Sequence, residues 1–157
     1  MNKITKAILF FTVAVVAASF LVTVVSNSKA DCVTLYVDYG PLNNGSKTTT
    51  CIPVEGKINA LDLLASANLS TQGTQDYGDA ILCRLGGFPD VAVETCEVMP
   101  PAESYWAVLI KEHEIIPNPF NLQGEWGWAQ VGINEVYLNA GDSLGLVFAD
   151  NGEVPIP

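Results

Sequence analysis

Positive charge is scarce in this sequence. Seven Lys and Arg residues face seventeen Asp and Glu, and three of the seven (Lys3, Lys6, Lys29) lie within residues 1–30. Beyond that point four basic residues stand against all seventeen acids, a net charge of −13. Such a chain has no basic footprint for nucleic acid and is repelled by anionic membrane surfaces. The same charge favours solubility outside the cell. Histidine is scarcer still, with His113 alone. A Ser-His-Asp triad would have to use it, yet it sits in Lys111-Glu112-His113-Glu114 with no Gly-x-Ser-x-Gly elbow in the chain. There is no CxxC pair, no EF-hand loop and no Gly-rich phosphate loop. With so many acids, carboxylate pairs at glycosidase spacing arise by chance and carry no weight. No catalytic residue, metal ligand or required cofactor is therefore assigned, and the chain reads as non-enzymatic.

A second long apolar run is also missing. The one present, Ala7 to Val25, is 19 residues without a charge, preceded by Lys3 and Lys6 and followed by Ser28-Lys29-Ala30. That is the layout of a signal peptide cleaved before Asp31, although the run is also long enough for an N-terminal anchor. Residues 1–30 are assigned to this leader and 31–157 to a single domain, secreted or exposed on the cell envelope. Contact with a membrane is expected only if the leader is retained.

All four cysteines fall in 31–157, as suits a compartment that permits disulfides. Three pairings are open to four cysteines. Cys32–Cys51 and Cys83–Cys96 are favoured because each brackets one local excursion of the chain.

Strand-like and helix-like patterns alternate through the domain. Val33, Leu35 and Val37 have the period of a half-buried strand. Gly40 to Gly45 reads as a turn, and Thr48 to Val54 as the returning strand. One amphipathic helix is predicted at about 58–69, capped by Asn59 and carrying Leu61, Leu63, Leu64 and Ala65. Ser70 to Gly78 reads as a loop, Ala80 to Leu85 as a strand, and Val91 to Val93 as a brief return. Further strands are expected at Tyr105–Ile110, Trp126–Ala129, Val136–Leu138 and Leu144–Phe148. The breaker-rich segment from Lys111 to Gly124 reads as a long loop and Asp150 to Pro157 as a frayed tail. The sum is an α+β domain, a mixed sheet packed on one helix.

Aromatic residues are the remaining signal. Tyr105, Trp106, Trp126 and Trp128 gather in the second half, with Phe88 and Phe120 in predicted loops. Such residues fill small cores, and they also make recognition hot spots and stack on flat ligands. Tyr105, Trp106, Trp126, Trp128 and Phe88 are the candidate ligand-binding residues. In Trp126-Gly127-Trp128 both indoles point the same way if the segment is a strand. A different partner class, an extracellular protein, is suggested by the loop Arg84 to Thr95. Closed by a disulfide, it would present Leu85 to Phe88 rigidly, as an adhesin piece or peptidase inhibitor does.

Several segments coincide with one family. They are Val33-Thr34-Leu35-Tyr36-Val37, Ala60-Leu61-Asp62-Leu63-Leu64, Tyr105-Trp106, and the close from Gly127-Trp128 through Tyr137-Leu138-Asn139-Ala140-Gly141-Asp142 to Leu144-Gly145-Leu146-Val147-Phe148. On these the chain resembles the transcobalamin-like C-terminal domain, a β-grasp module of secreted and cell-surface bacterial proteins. Cys83-Arg84-Leu85-Gly86-Gly87-Phe88-Pro89 with Cys96 and Pro100-Pro101 is similar to an envelope-protein version. The resemblance implies four to five strands grasping the helix. It also implies a small ligand such as a corrinoid (cobalamin), over one face of which the vertebrate members close while a separate α/α barrel holds it.

Overall fold

In β1 (Cys32–Asp38) apolar residues alternate with polar ones, so the strand has one face to bury, and it has a partner on both sides. On one side β2 (Lys47–Pro53) returns antiparallel, Val33 opposite Ile52. On the other, β10 (Ser143–Phe148) runs parallel, Leu35 opposite Leu144 and Val37 opposite Leu146. Antiparallel neighbours extend the sheet: β6 (Trp106–Lys111) beside β10, then β8 (Trp126–Trp128), then β7 (Asn121–Gln123). The computed structural model describes residues 31–112, 121–123 and 126–157. The leader 1–30, His113 and Phe120 lie outside the described residues, as does most of the predicted 111–124 loop.

The chain is α+β, a mixed sheet with one helix on a face, held by two disulfides. The order β2-β1-β10-β6-β8-β7 gives six strands, the four to five expected plus the three-residue β7 at one end. Cys32 bonds Cys51 with Cα atoms 5.6 Å apart, and Cys83 bonds Cys96 at 5.7 Å, both pairings as expected. The chain-entropy picture assigns each bridge about 3 kcal/mol.

The helix α1 (Ala60–Ser66) lies on the face that carries Val33, Leu35, Val37, Leu144 and Leu146. Its Ala60, Leu63 and Leu64 are fully buried there, each leucine contributing about 2 kcal/mol by area. The expected span of 58–69 is too long at both ends. Ile58 and Asn59 form β3 (Ile58–Asn59), paired with β9 (Tyr137–Leu138). At the other end Asn68 takes a left-handed φ of 57°. The Asn68 amide bonds the Ala65 carbonyl and the Leu69 amide bonds the Leu64 carbonyl, a Schellman close with asparagine in the glycine position.

Three other expectations need correction. Ser70 to Gly78 is largely a strand, β4 (Thr71–Thr74), paired through a bulge with β5 (Gly78–Leu85). A Cβ on Gly73 would lie 2.1 Å from the Gly78 carbonyl oxygen, so the isolated glycine marks a close backbone approach. Val91 to Val93 is a turn, its Val93 amide bonding the Asp90 carbonyl at 2.9 Å. The tail does not fray. Asp150 and Glu153 form a β-bridge, and Pro157 comes to rest over Gly145 on the sheet face away from the helix. That face carries buried Ala107, Leu109 and Val147, and apolar strand surface of this kind must be covered by something.

Asn59 joins the helix to the last third of the chain. Its Oδ1 accepts the Leu61 amide at 2.9 Å, while Nδ2 donates to the Asn134 carbonyl at 2.8 Å and more weakly to Val136. Asn59→Ala is expected to lower unfolding stability by roughly 1–2 kcal/mol. Asn59→Asp keeps the cap, loses the donor and should fall between. Urea unfolding checks this, and an Asp variant as stable as the parent would show that the cross-link contributes nothing.

Candidate functional site

The candidate aromatic residues go to three different places. Trp106 is 4 % exposed and belongs to the core. Its ring meets Tyr39 at 5.4 Å and Phe148 at 5.3 Å, both edge-on, and Tyr39 in turn meets Phe88 at 5.6 Å. The indole Nε1 donates to the Phe88 carbonyl at 3.2 Å, which satisfies its one polar atom. Phe88 reaches this cluster because Gly86 and Gly87 turn the chain with positive φ, letting Leu85 and Phe88 pair backbone to backbone. At Gly86 the turn also passes so close to Tyr39 that a Cβ would sit 2.8 Å from the phenol oxygen.

Trp126 lies over Gly145, where a Cβ would come within 3.0 Å of its ring, and Leu109 flanks the same spot. It shares the sheet face opposite the helix with Pro157. Trp128 is on the same side by alternation, and it sits opposite Leu109, but it stands where the sheet opens. β8 pairs with β6 only at Leu109 and Ile110. The end of β6 from Trp106 to Val108 therefore has no strand on that side. The gap is a cavity of about 630 Å³, walled by that end of β6, the start of β5, the Met99–Ala102 segment and the chain from Trp128 to Ile133.

The cavity brings Tyr105, Trp106 and Trp128 together and leaves out Phe88 and Trp126. Trp106 contributes its edge from the core, whereas Tyr105 and Trp128 are half-buried. Ile81, Met99 and Val131 complete the wall. None of the three is a site candidate in the sequence. Ile81 lies within the expected strand Ala80–Leu85, and Met99 before Pro100-Pro101 and Val131 before Gly132 show only an apolar residue beside breakers. Met99 is 55 % and Val131 49 % exposed at the mouth, and a thioether there can adapt to an incoming surface. The far wall is tight, since a Cβ on Gly132 would lie 2.8 Å from the Ala80 Cα.

No charged side chain lines this cavity. Gln130 supplies a polar group, and its amide already donates to the Trp128 carbonyl. Chemically the site offers aromatic faces, aliphatic walls and the Tyr105 hydroxyl, so shape and dispersion would govern recognition. Among the described residues no three His, Cys, Asp or Glu side chains converge as a metal would need, and no helix is long and apolar enough to cross a membrane.

A second constellation lies outside the cavity. Arg84 donates from Nε to the Pro89 carbonyl at 2.7 Å and from Nη2 to the Glu94 carbonyl at 2.5 Å, and it also bonds the Gln72 side chain. It fills the loop that Cys83–Cys96 closes. Val91 and Val93 at the tip are 66 % and 76 % exposed.

No protein-family model, curated protein or solved structure matches the chain.

Two tyrosines carry a pH dependence. Burial raises Tyr39 above the ordinary value. Burial raises Tyr36 as well, helped by the carboxylate of Asp38, to which its hydroxyl donates at 3.4 Å. Because the folded state favours the neutral phenols, their contribution is fully present below the unfolded value near 10 and is lost as pH climbs through the folded values. Absorbance titration is expected to show Tyr36 and Tyr39 ionising late, in a phase that Tyr36→Phe and Tyr39→Phe each reduce, with urea stability declining from about pH 10. A late phase that neither variant changes would contradict this assignment.

Proposed function

We propose that the protein is a non-enzymatic binding module, secreted or exposed on the cell envelope, that holds a small ligand against Tyr105 and Trp128. The observation that carries the reading is the uncharged cavity of about 630 Å³, which has two half-buried aromatic residues in its wall. Drug-sized ligands and cofactors occupy concave apolar sites of about 300–1,000 Å³. The two disulfides are compatible with an oxidising compartment.

A corrinoid is the named candidate, and it rests on the resemblance to the transcobalamin-like β-grasp family. The placement of one helix across a mixed sheet, between an N-terminal hairpin and the closing strand, supports that resemblance. A cavity of this size takes one edge or face of a corrin ring, so a second protein would hold the remainder. An uncharged, partly aromatic wall suits the ring's broad apolar surface.

A second reading is favoured by the Cys83–Cys96 loop. There Arg84 holds the backbone while Val91 and Val93 stand exposed. Rigid loops with apolar tips are suited to docking an extracellular protein, as in an adhesin or a peptidase inhibitor.

Titration of the purified, oxidised protein with cobalamin, followed by tryptophan quenching and the corrinoid absorption bands, tests the first reading. Saturable binding is expected. Trp128→Ala and Tyr105→Ala should each weaken it ~10- to 30-fold, the size of an aromatic hot spot. Trp126→Ala should change it by less than about threefold, since its ring covers Gly145 and does not line the cavity. The absence of any saturable signal removes the corrinoid, and a Trp126 effect larger than the Trp128 effect relocates the site.

A further inference from the structure

We propose that the outer edge of β2 is a self-association surface, on which β2 of a second copy of this chain pairs antiparallel about Thr50. β2 ends the sheet, and among the described residues no strand lies beyond it. Lys47, Thr48, Thr49, Thr50 and Cys51 are all exposed. The direction of the backbone groups follows from two bonds that flank the ladder. The Val54 amide donates to Asp31 and the Tyr39 amide donates to the Ser46 carbonyl. In the register of β2 against β1, even-numbered residues of β2 therefore spend their N–H and C=O on β1. By alternation Lys47, Thr49, Cys51 and Pro53 aim theirs outward.

Exposed edges invite another strand, and proteins blunt them with charge and proline. Here both devices sit at the ends, Lys47 at one and Pro53 at the other, and the stretch from Thr48 to Ile52 between them carries neither. The three threonines and Ile52 are β-branched and suit a pleated, half-exposed ladder. Thr50 is the midpoint of Lys47–Pro53, so a two-fold axis there uses the whole strand. Thr49 then exchanges bonds with Cys51 of the second copy, and Cys51 with its Thr49. At each end the Lys47 amide donates to the Pro53 carbonyl, the one place where proline's missing N–H costs least. Thr48 falls opposite Ile52 and Thr50 opposite itself, both favourable cross-strand pairs.

The register itself selects a second copy, because the outward residues 49 and 51 answer each other and Pro53 meets the Lys47 amide. The one charge in β2, Lys47, already holds the Asp38 carboxylate of its own chain at 2.8 Å, so the seam leaves no cation unpaired. The two copies of Lys47 lie at opposite ends of the seam. The pairing is isologous, so it closes as a dimer and does not propagate. It also places both copies of α1 on the same side of one continuous sheet. The ligand cavity lies at the far side of β6 and stays open.

The test is sedimentation of the purified, oxidised protein across concentration, alone and as Thr49→Pro. The substituted amide faces outward, so proline at 49 leaves the β1 ladder intact while blocking the seam. The expected result is a mass that rises from one chain to two for the parent and stays at one for Thr49→Pro. Amide exchange at low and high concentration gives a second readout that needs no variant. Thr48, Thr50 and Ile52 should be protected throughout, and Thr49 and Cys51 should gain protection only as the dimer forms. A single-chain mass at every concentration up to millimolar overturns the proposal, as does a dimer whose Thr49 and Cys51 amides exchange freely. A folded Thr49→Pro that still dimerises overturns the seam.

Discussion

Parallel pairing of β1 with β10 sets the terms for everything between them. Two parallel strands cannot be joined by a tight turn, so the intervening chain must leave the sheet edge and come back as a crossover. Here that crossover includes the helix, the β4–β5 hairpin and the disulfide loop. Its return is pinned where the Gly141 amide donates to the Cys32 carbonyl at 2.8 Å and the Thr34 amide to the Asp142 carbonyl at 3.0 Å. Asp142, buried at the same corner, accepts the Asn139 amide and shapes the turn. The helix is then held against strands from the first and last thirds of the chain, and Asn59 bonds it to the last third.

The cavity follows from a mismatch in strand length. β6 has six residues and is matched along its length by β10, whereas β8 has three and answers only two of them. The unmatched end cannot be closed by β5, which turns away to pair with β4. Apolar side chains from four separate segments therefore border a gap that no element fills. The absence of charge in its wall is notable in a chain this acidic. Among the described residues most carboxylates are exposed elsewhere on the surface, and the two buried ones, Asp38 and Asp142, lie outside the cavity wall.

The sequence made the strands with strict alternation legible. Val33-Leu35-Val37 and Leu144-Leu146-Phe148 needed only the rule that side chains alternate, because one of their faces meets the helix. The disulfides were legible because each closes a local excursion. β4 was not, because Thr71-Gln72-Gly73-Thr74 has no apolar period and owes its extended form to β5 beside it. The tail misled for a related reason. Its docking is decided by the bare patch around Gly145, a property of the assembled sheet. The same holds for the tryptophans. Alternation placed Trp126 and Trp128 on one face, but only the lengths of β6 and β8 decide that one covers the sheet and the other borders the cavity. For Trp106 the sequence left both a core and a ligand role open, and the core role is settled by Tyr39 and Phe148, which are distant in sequence.

Arg84 is the only arginine in the sequence, and in a chain with seventeen carboxylates it bonds two backbone carbonyls and an amide oxygen. None of those acceptors gains or loses a proton over the range in which proteins stay folded, and none carries a charge that salt could screen. The contrast within the same molecule is Lys47 on Asp38, a carboxylate contact with the lysine mostly in water, the kind that ionic strength weakens. The disulfide and these three bonds to neutral acceptors thus brace the loop between Cys83 and Cys96, while the Asp90 and Glu94 carboxylates accept the Ala92 and Cys96 amides as two further local links. The arginine's share of that bracing is indifferent to salt, so it should hold from dilute buffer to brine.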